Sequence, residues 1–371
     1  MCKKIAAFII AAAVLFLVCC LPVYALSGIS AESCIVMDVA TNQVIYEDGA
    51  RARMSMASTT KIMTGILAIE MLEPDEIVRI TPQMVTVEGS SMGLQTGDEI
   101  SVRGLLSGLL LESGNDAANA IALHMAKTVP DFAKIMNEKA QKLGMKDTKF
   151  VTPSGLDDKE HLTTAYDMAL LASHAMKNEL FAEIVSSKKE KVTFVSPPKT
   201  VTYYNHNRLL SMYDGAIGVK TGFTKKSGRC LVSAAMRDGA KIVAVTLNAS
   251  SDWNDHKKLL DYGFTQMEKV VLDDSLPQSV DVVSSDKTKI GIYVNEDASV
   301  TLIKTDKKLD RVINLPRFLY ADIQKDDRVG EICYYYNGSL IYTADVFAAE
   351  DARISVRELG FWEKFKMKIF S

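Results

Sequence analysis

The sequence predicts an α/β (α+β) protein, in which one sheet with associated helices is followed by a small all-β domain. Strand-like patterns lie at both ends of the first 270 residues and the segment between them is mostly helical, which indicates one sheet assembled from distant parts of the chain. After Val271, short β-rich runs are separated by Asn, Asp and Gly turns. We therefore expect a larger domain over 26–270, a β-rich domain over 271–350, and a short segment at either end.

Length and composition agree with a folded protein of two domains. The chain has 371 residues, 48% of them hydrophobic and 24% charged, which is too apolar for a disordered protein. The formal net charge of −3 gives no basic field for a nucleic-acid partner. The five histidines are scattered without metal-ligand spacing, which argues against a zinc hydrolase.

The first 25 residues have the order of a secretory signal peptide. Lys3 and Lys4 precede an apolar run over 5–21, and small residues follow near Ala25. An uncleaved signal anchor and a lipoprotein site at Cys20 are the alternatives. The remaining cysteines, Cys34, Cys230 and Cys333, are odd in number and lie in apolar stretches, so we expect buried thiols rather than disulfides.

The larger domain begins with a predicted hairpin over 33–48, turning at 38–42. A helix is predicted over 58–72 from the spacing of its apolar residues. Further helices are predicted over 102–111, 116–127, 131–143 and 164–175, then strands over 191–194, 216–220, 230–237 and 241–247, and a last helix over 253–269.

In the β-rich domain, strands are predicted over 289–294, 299–303, 330–335 and 339–344. Asn337-Gly338 predicts a tight hairpin between the last two. The tail, 351–371, would form an amphipathic helix with one apolar arc and basic flanks; its arc contains Phe361, Trp362, Phe365 and Ile369, and its flanks contain Arg357, Lys364 and Lys368. This pattern favours a helix lying on an anionic membrane, and a helix docked on the protein body is the alternative.

Three short motifs contain residues suited to catalysis. In the first, Ser58 and Lys61 are three residues apart, so on a helix their side chains can touch. A serine hydroxyl needs a base, and a lysine of lowered pKa can serve as one. Backbone N–H groups at the start of the helix would face a developing oxyanion. The alternative is that Ser58 only caps the helix.

The second motif is Ser113-Gly114-Asn115, between two predicted helices. A hydroxyl and a carboxamide on a rigid loop can relay a proton and bind a substrate amide, although a plain connector with Gly114 as C-cap has the same sequence. The third motif is Lys220-Thr221-Gly222 at the end of a strand. Lys220 and Thr221 could bind a carboxylate, and Gly222 would allow another backbone or a ligand to approach, whereas an edge strand with a solvated lysine is the alternative.

Together the ordered motifs resemble those of the penicillin-recognising serine enzymes: Ser-x-x-Lys, Ser-x-Asn 55 residues later, and Lys-Thr-Gly 107 residues further on. The surrounding segments 57–64, 88–92, 111–118 and 218–224 are similar to those of D-alanyl-D-alanine carboxypeptidases, the low-molecular-mass penicillin-binding proteins of the penicillin-binding protein 5 group. Segment 150–156, His161 and segment 163–167 also resemble that family. So does the layout of export signal, catalytic domain, β-rich domain and amphipathic tail.

The resemblance implies a β-lactamase/DD-peptidase-like catalytic domain with an antiparallel sheet and a helical subdomain. Ser58 would attack the bond between two D-alanines of a peptidoglycan stem peptide, and Lys61 would accept its proton. Ser113 and Asn115 would assist proton transfer and orient the substrate. The terminal carboxylate would be bound by Lys220 and Thr221, beside Gly222.

The resemblance further implies that the backbone N–H groups of Ser58 and Phe223 form the oxyanion hole. Some family members have histidine at the position of Phe223, but a backbone donor does not depend on the side chain. No metal or cofactor is implied, and β-lactams would acylate Ser58. For His161 and Asp167, which match family positions, we expect a structural role. The location implied is the outer face of the cytoplasmic membrane or the cell wall.

Two rival functions share part of this pattern. A class A-type β-lactamase has all three motifs but needs a further carboxylate to activate the deacylating water. Glu160, Glu179 and Glu183 lie between the second and third motifs, in contexts that do not indicate that base. A non-catalytic wall-binding protein would keep the pocket without turnover, which the complete set of site residues argues against.

Overall fold

The computed structural model describes residues 26–295, 298–304 and 309–355. The predicted signal peptide and the tail from residue 356 onward lie outside these residues. Within the part of the chain described, no helix combines the length and the apolar character needed to cross a membrane.

The structure contains an α/β region followed by a β-rich region. The strands are β1 (Ala31–Asp38), β2 (Val44–Asp48), β3 (Ile77–Arg79), β4 (Glu99–Ser101), β5 (Lys189–Phe194), β6 (Lys199–Tyr204), β7 (Ala216–Thr224), β8 (Gly228–Arg237), β9 (Ala240–Ala249), β10 (Met267–Val271), β11 (Ser279–Val283), β12 (Lys289–Val294), β13 (Ser299–Ile303), β14 (Asp310–Asn314), β15 (Phe318–Tyr320), β16 (Arg328–Tyr336) and β17 (Ser339–Ala348). The helices are α1 (Lys61–Met71), α2 (Pro82–Val85), α3 (Val102–Leu110), α4 (Asn115–Ala126), α5 (Val129–Lys142), α6 (Ala165–Ala175), α7 (Glu179–Ser186), α8 (Leu209–Met212) and α9 (Asp252–Thr265).

The central sheet is antiparallel and has the order β2-β1-β9-β8-β7. Strand β1 pairs with β9, so the beginning and the end of the α/β region lie side by side, as the sequence predicted. Strand β7 is at the margin of this sheet. The expected fold class, an antiparallel sheet with a helical subdomain and a following β-rich part, is confirmed.

Several helices begin at residues whose side chains accept backbone hydrogen bonds. Ser101 accepts from Gly104 N before α3, Thr128 from Asp131 N before α5, and Thr164 from Asp167 N before α6, each at 3.0 to 3.2 Å. These oxygens satisfy N–H groups that have no partner within the helix. The helices and one face of the sheet then enclose one large apolar core, which fixes the connections between α1, α3 and α4.

The β-rich region is built on a six-stranded sheet with the order β14-β16-β17-β12-β11-β15, in which only β11 and β15 run parallel. The predicted hairpin is present: Asn337 and Gly338 have φ of +51° and +76°, and Tyr336 pairs with Ser339. Positive φ at both central residues is what a two-residue hairpin turn requires.

The predicted last helix over 253–269 is wrong at its end. Helix α9 stops at Thr265, and Met267–Val271 is strand β10, which pairs with β13 of the β-rich region. The apolar residues Met267, Val270 and Val271 lie at i, i+3 and i+4, which is helical spacing, and pairing to a distant strand overrides that pattern. Helices α2, α7 and α8 and strands β3, β4, β6, β11, β14 and β15 were also not predicted from the sequence.

The three cysteines of the described chain are buried free thiols, as predicted. Burial raises the pKa of both Cys34 and Cys230. A raised pKa keeps these thiols protonated and unreactive.

Candidate active site

Ser58 and Lys61 lie at the start of α1. Ser58 belongs to a 3₁₀ turn, Ala57–Thr60, and Lys61 is the first residue of the α-helix. The Lys61 Nζ atom lies 3.0 Å from the Ser58 Oγ atom. Ser58 therefore does not act as the helix cap considered above, since its side chain makes no capping hydrogen bond and instead contacts the lysine.

Lys61 is fully buried, and neutral oxygens surround its amine. Nζ donates to Asn115 Oδ1 at 2.7 Å and to the Ser154 carbonyl at 2.7 Å. Burial holds the pKa of Lys61 well below its ordinary value, the Lys220 ammonium lowers it further, and the Asp116 carboxylate opposes the shift. The geometry and the charge balance therefore favour a neutral amine beside a serine hydroxyl.

The Ser113-Gly114-Asn115 segment joins α3 to α4. Ser113 has a φ of +64°, whereas Gly114 has a φ of −57°, so the left-handed residue of this connection is the serine and not the glycine. That backbone conformation is uncommon for a non-glycine residue and is found at functional sites. Asn115 donates through Nδ2 to the Glu88 carbonyl at 2.6 Å while its Oδ1 accepts from Lys61.

Strand β7 brings the third motif against the 3₁₀ turn. A Cβ atom at Gly222 would lie 3.0 Å from Ser58 N and 3.1 Å from Thr59 N, so a side chain there would displace the turn. The close backbone approach expected of Gly222 is present. β7 is an edge strand, but Lys220 is 1% exposed, so the alternative of a solvated lysine is wrong.

Lys220 is a second buried amine near the site. Its Nζ donates to the Thr221 carbonyl at 3.0 Å. Burial lowers the pKa of Lys220 to about 7, and the Glu112 carboxylate opposes this shift. The amine therefore changes its charge near neutral pH, and an incoming anion would favour the charged form.

The motifs meet at a cleft of about 320 Å³. Its lining residues are Ser58, Ser90, Ser113, His206, Thr221, Gly222, Phe223, Arg229, Asp252 and Trp253. Arg229 places its Nε 2.9 Å from Asp252 Oδ1, and the Phe223 side chain is 65% exposed at the rim. Sequence reasoning missed Arg229, Asp252, Trp253 and His206, because isolated residues far from the motifs carry no local signal.

Segment 150–156 packs against the start of α1, a role that the motifs did not identify. The Ser154 carbonyl accepts from Lys61, and the Pro153 carbonyl accepts from Thr64 Oγ1 at 2.6 Å. Gly155 has a φ of +88°, and a Cβ atom there would lie 1.9 Å from the Ala57 carbonyl oxygen. Only glycine fits this position.

His161 stabilises the turn that carries Ser58. Its Nδ1 accepts from Val151 N at 2.9 Å, so Nε2 carries the proton and donates to Thr60 Oγ1 at 2.8 Å. The Thr60 hydroxyl then donates to the Ala57 carbonyl at 2.8 Å. Burial lowers the pKa of His161 to about 4, so the ring is neutral at pH 7. The histidine acts on the shape of the turn and is not among the residues that line the cleft.

Asp167 also has a structural role, in holding the segment that contains Asp147 and Thr148. It accepts from Asp147 N at 2.9 Å and from Thr148 Oγ1 at 2.7 Å. Within the described residues, no group of three or more His, Cys, Asp or Glu side chains is arranged to hold a metal ion.

Comparison with known proteins gives two family matches. Residues 23–251 match the family described as D-alanyl-D-alanine carboxypeptidase (peptidase family S11), and residues 266–353 match the C-terminal domain of penicillin-binding protein 5. The gap between these two matches, residues 252–265, coincides with helix α9.

Individual proteins are similar over nearly the whole chain. The D-alanyl-D-alanine carboxypeptidase DacF of Bacillus subtilis is 31% identical over 91% of both chains. DacC of Escherichia coli is 33% identical over 92% of this chain and 89% of its own. Among solved structures, the D-alanyl-D-alanine carboxypeptidase DacD from Francisella tularensis has a TM-score of 0.62 and 28% identity, covering 89% of this chain and 95% of its own.

Proposed function

Since this chain belongs to the D-alanyl-D-alanine carboxypeptidases and is a serine-type peptidase, we propose that Ser58 is its nucleophile and Lys61 the base that activates it. The reaction removes the terminal D-alanine from peptidoglycan stem peptides through an acyl-enzyme. The observation that supports this assignment best is the 3.0 Å contact between Ser58 Oγ and the buried Lys61 Nζ.

In the acylation step, Ser58 Oγ forms a bond to the carbonyl carbon between the two D-alanines. Its proton passes to the neutral Lys61 amine, which is held within hydrogen-bond distance by Asn115 and Ser154. The C–N bond then breaks, and the leaving amine takes up a proton through Lys61 and the Ser113 hydroxyl. D-Alanine leaves with that proton, and the shortened peptide stays as an ester on Ser58.

Asn115 would orient the scissile amide, and Lys220 and Thr221 would bind the terminal carboxylate. An anion beside Lys220 restores its charge, because an opposite charge in a buried site raises the pKa of an amine. Binding of the correct substrate therefore creates the cation that holds it. Arg229, whose guanidinium lies at the rim of the same cleft, adds positive potential there.

We place the oxyanion hole at the backbone N–H groups of Ser58 and Phe223. Gly222 supports this position, because the lack of a side chain lets β7 approach the N–H of Ser58. Two donors aimed at one point stabilise the tetrahedral intermediate more than the ground-state carbonyl.

Water completes the cycle by attacking the ester carbon. Its proton passes to the free Lys61 amine, and the serine oxygen regains a proton as the C–O bond breaks. β-Lactams enter the same path as acyl donors. They acylate Ser58, and the resulting ester, unlike the peptide ester, is hydrolysed slowly.

The direct test is labelling with a fluorescent penicillin, wild type beside Ser58→Ala, together with release of free D-alanine from a pentapeptide ending in D-Ala-D-Ala. We expect one covalent band that the substitution abolishes, and D-alanine release by the wild type alone. An equally labelled variant would place the nucleophile elsewhere. Rapid turnover of the penicillin would favour the class A-type β-lactamase, which the comparisons do not favour.

We further propose that residues 1–25 direct export and that the tail, 351–371, holds the enzyme on the outer face of the membrane, with 26–270 as catalytic domain and 271–350 as β-rich domain. The sequence of the tail supports this, since its aromatic residues fall on one arc of a helical wheel with basic residues on the flanks. Sedimentation of the chain 26–371 with anionic vesicles, beside the chain 26–355, tests it. Equal sedimentation of the two would exclude the tail as the anchor.

A further inference from the structure

Asp116 is a buried carboxylate next to Asn115 and is 1% exposed. Its two oxygens accept five hydrogen bonds, four of them from the irregular segment 88–94, which we call the 88–94 loop. The donors in the loop are Ser91 Oγ at 2.6 Å, Met92 N at 2.9 Å, Gly93 N at 3.0 Å and Leu94 N at 3.0 Å, and the fifth donor is Ala117 N at 2.9 Å. The carboxylate therefore organises a loop that has no regular structure of its own.

The 88–94 loop in turn holds Asn115. The Glu88 carbonyl accepts from Asn115 Nδ2 at 2.6 Å, and the Ser90 carbonyl accepts from Asn115 N at 2.7 Å. These contacts fix which way the amide faces, because Nδ2 must point to Glu88 and Oδ1 then points to Lys61. A Cβ atom at Gly89 would lie 2.9 Å from Asn115 Nδ2, so the loop backbone packs directly on the amide.

We propose that Asp116 is a positioning residue for acylation: through the 88–94 loop it fixes the orientation of the Asn115 amide and thereby the place of the Lys61 amine beside Ser58. This inference rests on the proposed function of Ser58 and Lys61. Asp116 does not line the cleft, so it acts through the groups it holds and through its charge, which favours the protonated form of Lys61.

Asp116→Asn replaces two oxygens that accept hydrogen bonds with one oxygen and one NH₂ group, which cannot accept. In either orientation of the new amide, its NH₂ group faces at least two N–H or O–H donors, which are Met92 N and Ala117 N on one side or three donors of the loop on the other. At least two hydrogen bonds are therefore lost, and the loop loses either one or three of its four. Release of the loop leaves Asn115 Nδ2 without a fixed partner, and the Lys61 amine then loses one of its two fixed acceptors, since only the Ser154 carbonyl stays in place. Displacement of a reacting group by about 1 Å costs up to about 100-fold in rate.

The experiment measures the first-order acylation constant at saturating fluorescent penicillin, with each variant at the pH where it reacts fastest. This constant describes the folded, labelled fraction only, so a variant that merely folds less well lowers the labelled amount and leaves the constant unchanged. For Asp116→Asn we expect a fall of about 10- to 100-fold, with a smaller change in the penicillin concentration at half-saturation, because Lys220 and Thr221 are untouched. Asp167→Asn is the matched control, since Asp167 is equally buried and also binds a loop through a backbone N–H and a hydroxyl.

A second pair of variants keeps every charge. Gly89→Ala places a methyl group against Asn115 Nδ2, whereas Gly97→Ala, at a comparable φ of +93°, has open space around the new atom. We expect a lowered acylation constant for Gly89→Ala alone. If Asp116→Asn and Gly89→Ala both acylate at the wild-type rate while the wild type labels normally, the positioning role is wrong and the proposed nucleophile stands. A wild type that fails to label would overturn the proposed function itself.

Discussion

The ionisation of Lys220 makes the pH dependence of the reaction predictable. With a pKa of about 7 in the free enzyme, about nine tenths of the molecules hold the ammonium at pH 6 and about a tenth at pH 8. Since only the charged form binds the substrate carboxylate well, kcat/KM falls as the pH rises through 7. The fall from pH 6 to pH 9 is about 100-fold.

The dependence of kcat is different, because it reports the enzyme–substrate complex. The bound carboxylate raises the pKa of Lys220, so kcat stays constant to a higher pH than kcat/KM. Both constants are measured by D-alanine release from a pentapeptide between pH 5 and pH 10. Both constants fall rather than rise with pH, because the Lys220 ammonium is present below its pKa and absent above it.

Lys220→Arg provides the matched variant. A guanidinium stays charged at all these pH values, so the decline of kcat/KM above pH 7 should vanish even if the absolute rate is lower. A peptide amide, which lacks the terminal carboxylate, should likewise show no such decline. A decline that persists unchanged in Lys220→Arg would refute the assignment and point to another group.

Further variants test separate parts of the site. Lys61→Met should lower the penicillin acylation constant by about 10²- to 10⁴-fold, which is what a general base contributes, and wild-type labelling kinetics in this variant would remove Lys61 from the mechanism. Gly222→Ala should slow acylation at least about tenfold, because its methyl group lies 3.0 Å from Ser58 N, while Gly291→Ala on β12, whose nearest neighbour would be 3.3 Å away, should acylate normally. Arg229→Gln should raise KM for the peptide more than it lowers kcat, and the opposite split would place Arg229 in the chemical step. His161, neutral when folded, has a folded pKa of about 4 against an ordinary 6.5, so its contribution to the free energy of unfolding is complete above pH 6.5 and is lost as the pH falls toward 4; chemical denaturation of His161→Asn across this range should show a weaker dependence on pH than the wild type.

Much of the fold could be predicted because most elements have a clear period. The helices around 102–111 and 164–175 and the strands around 230–237 differ from the structure by at most two residues at their ends. The error at the end of the last predicted helix is caused by pairing between distant segments. Strand β10 follows α9 after a single residue, and only its partner β13 makes it a strand.

The site likewise contains some residues that the sequence could predict and others that it could not. Ser58 and Lys61 could be placed together because a spacing of three brings two side chains onto one helix face. In the structure, Lys61 Nζ and Ser58 Oγ are in hydrogen-bond contact. The Ser154 carbonyl and the oxygens of the 88–94 loop carry no side-chain chemistry, so no residue type reveals them. Arg229 lines the same cleft as Ser58 because β8 and β7 are paired in the register Phe223 to Arg229.

The pairing of β1 with β9 affects how the enzyme folds during its synthesis. Ser58 follows the first hairpin, whereas Lys220 lies on a strand joined to that hairpin only through β8 and β9. A nascent chain that ends before residue 240 therefore has the nucleophile but no sheet to bring the carboxylate-binding strand beside it. Contacts so far apart along the chain form late in folding. Reactivity toward penicillin should accordingly appear in one step, when the ninth strand closes the sheet, and no shorter fragment should acquire it gradually.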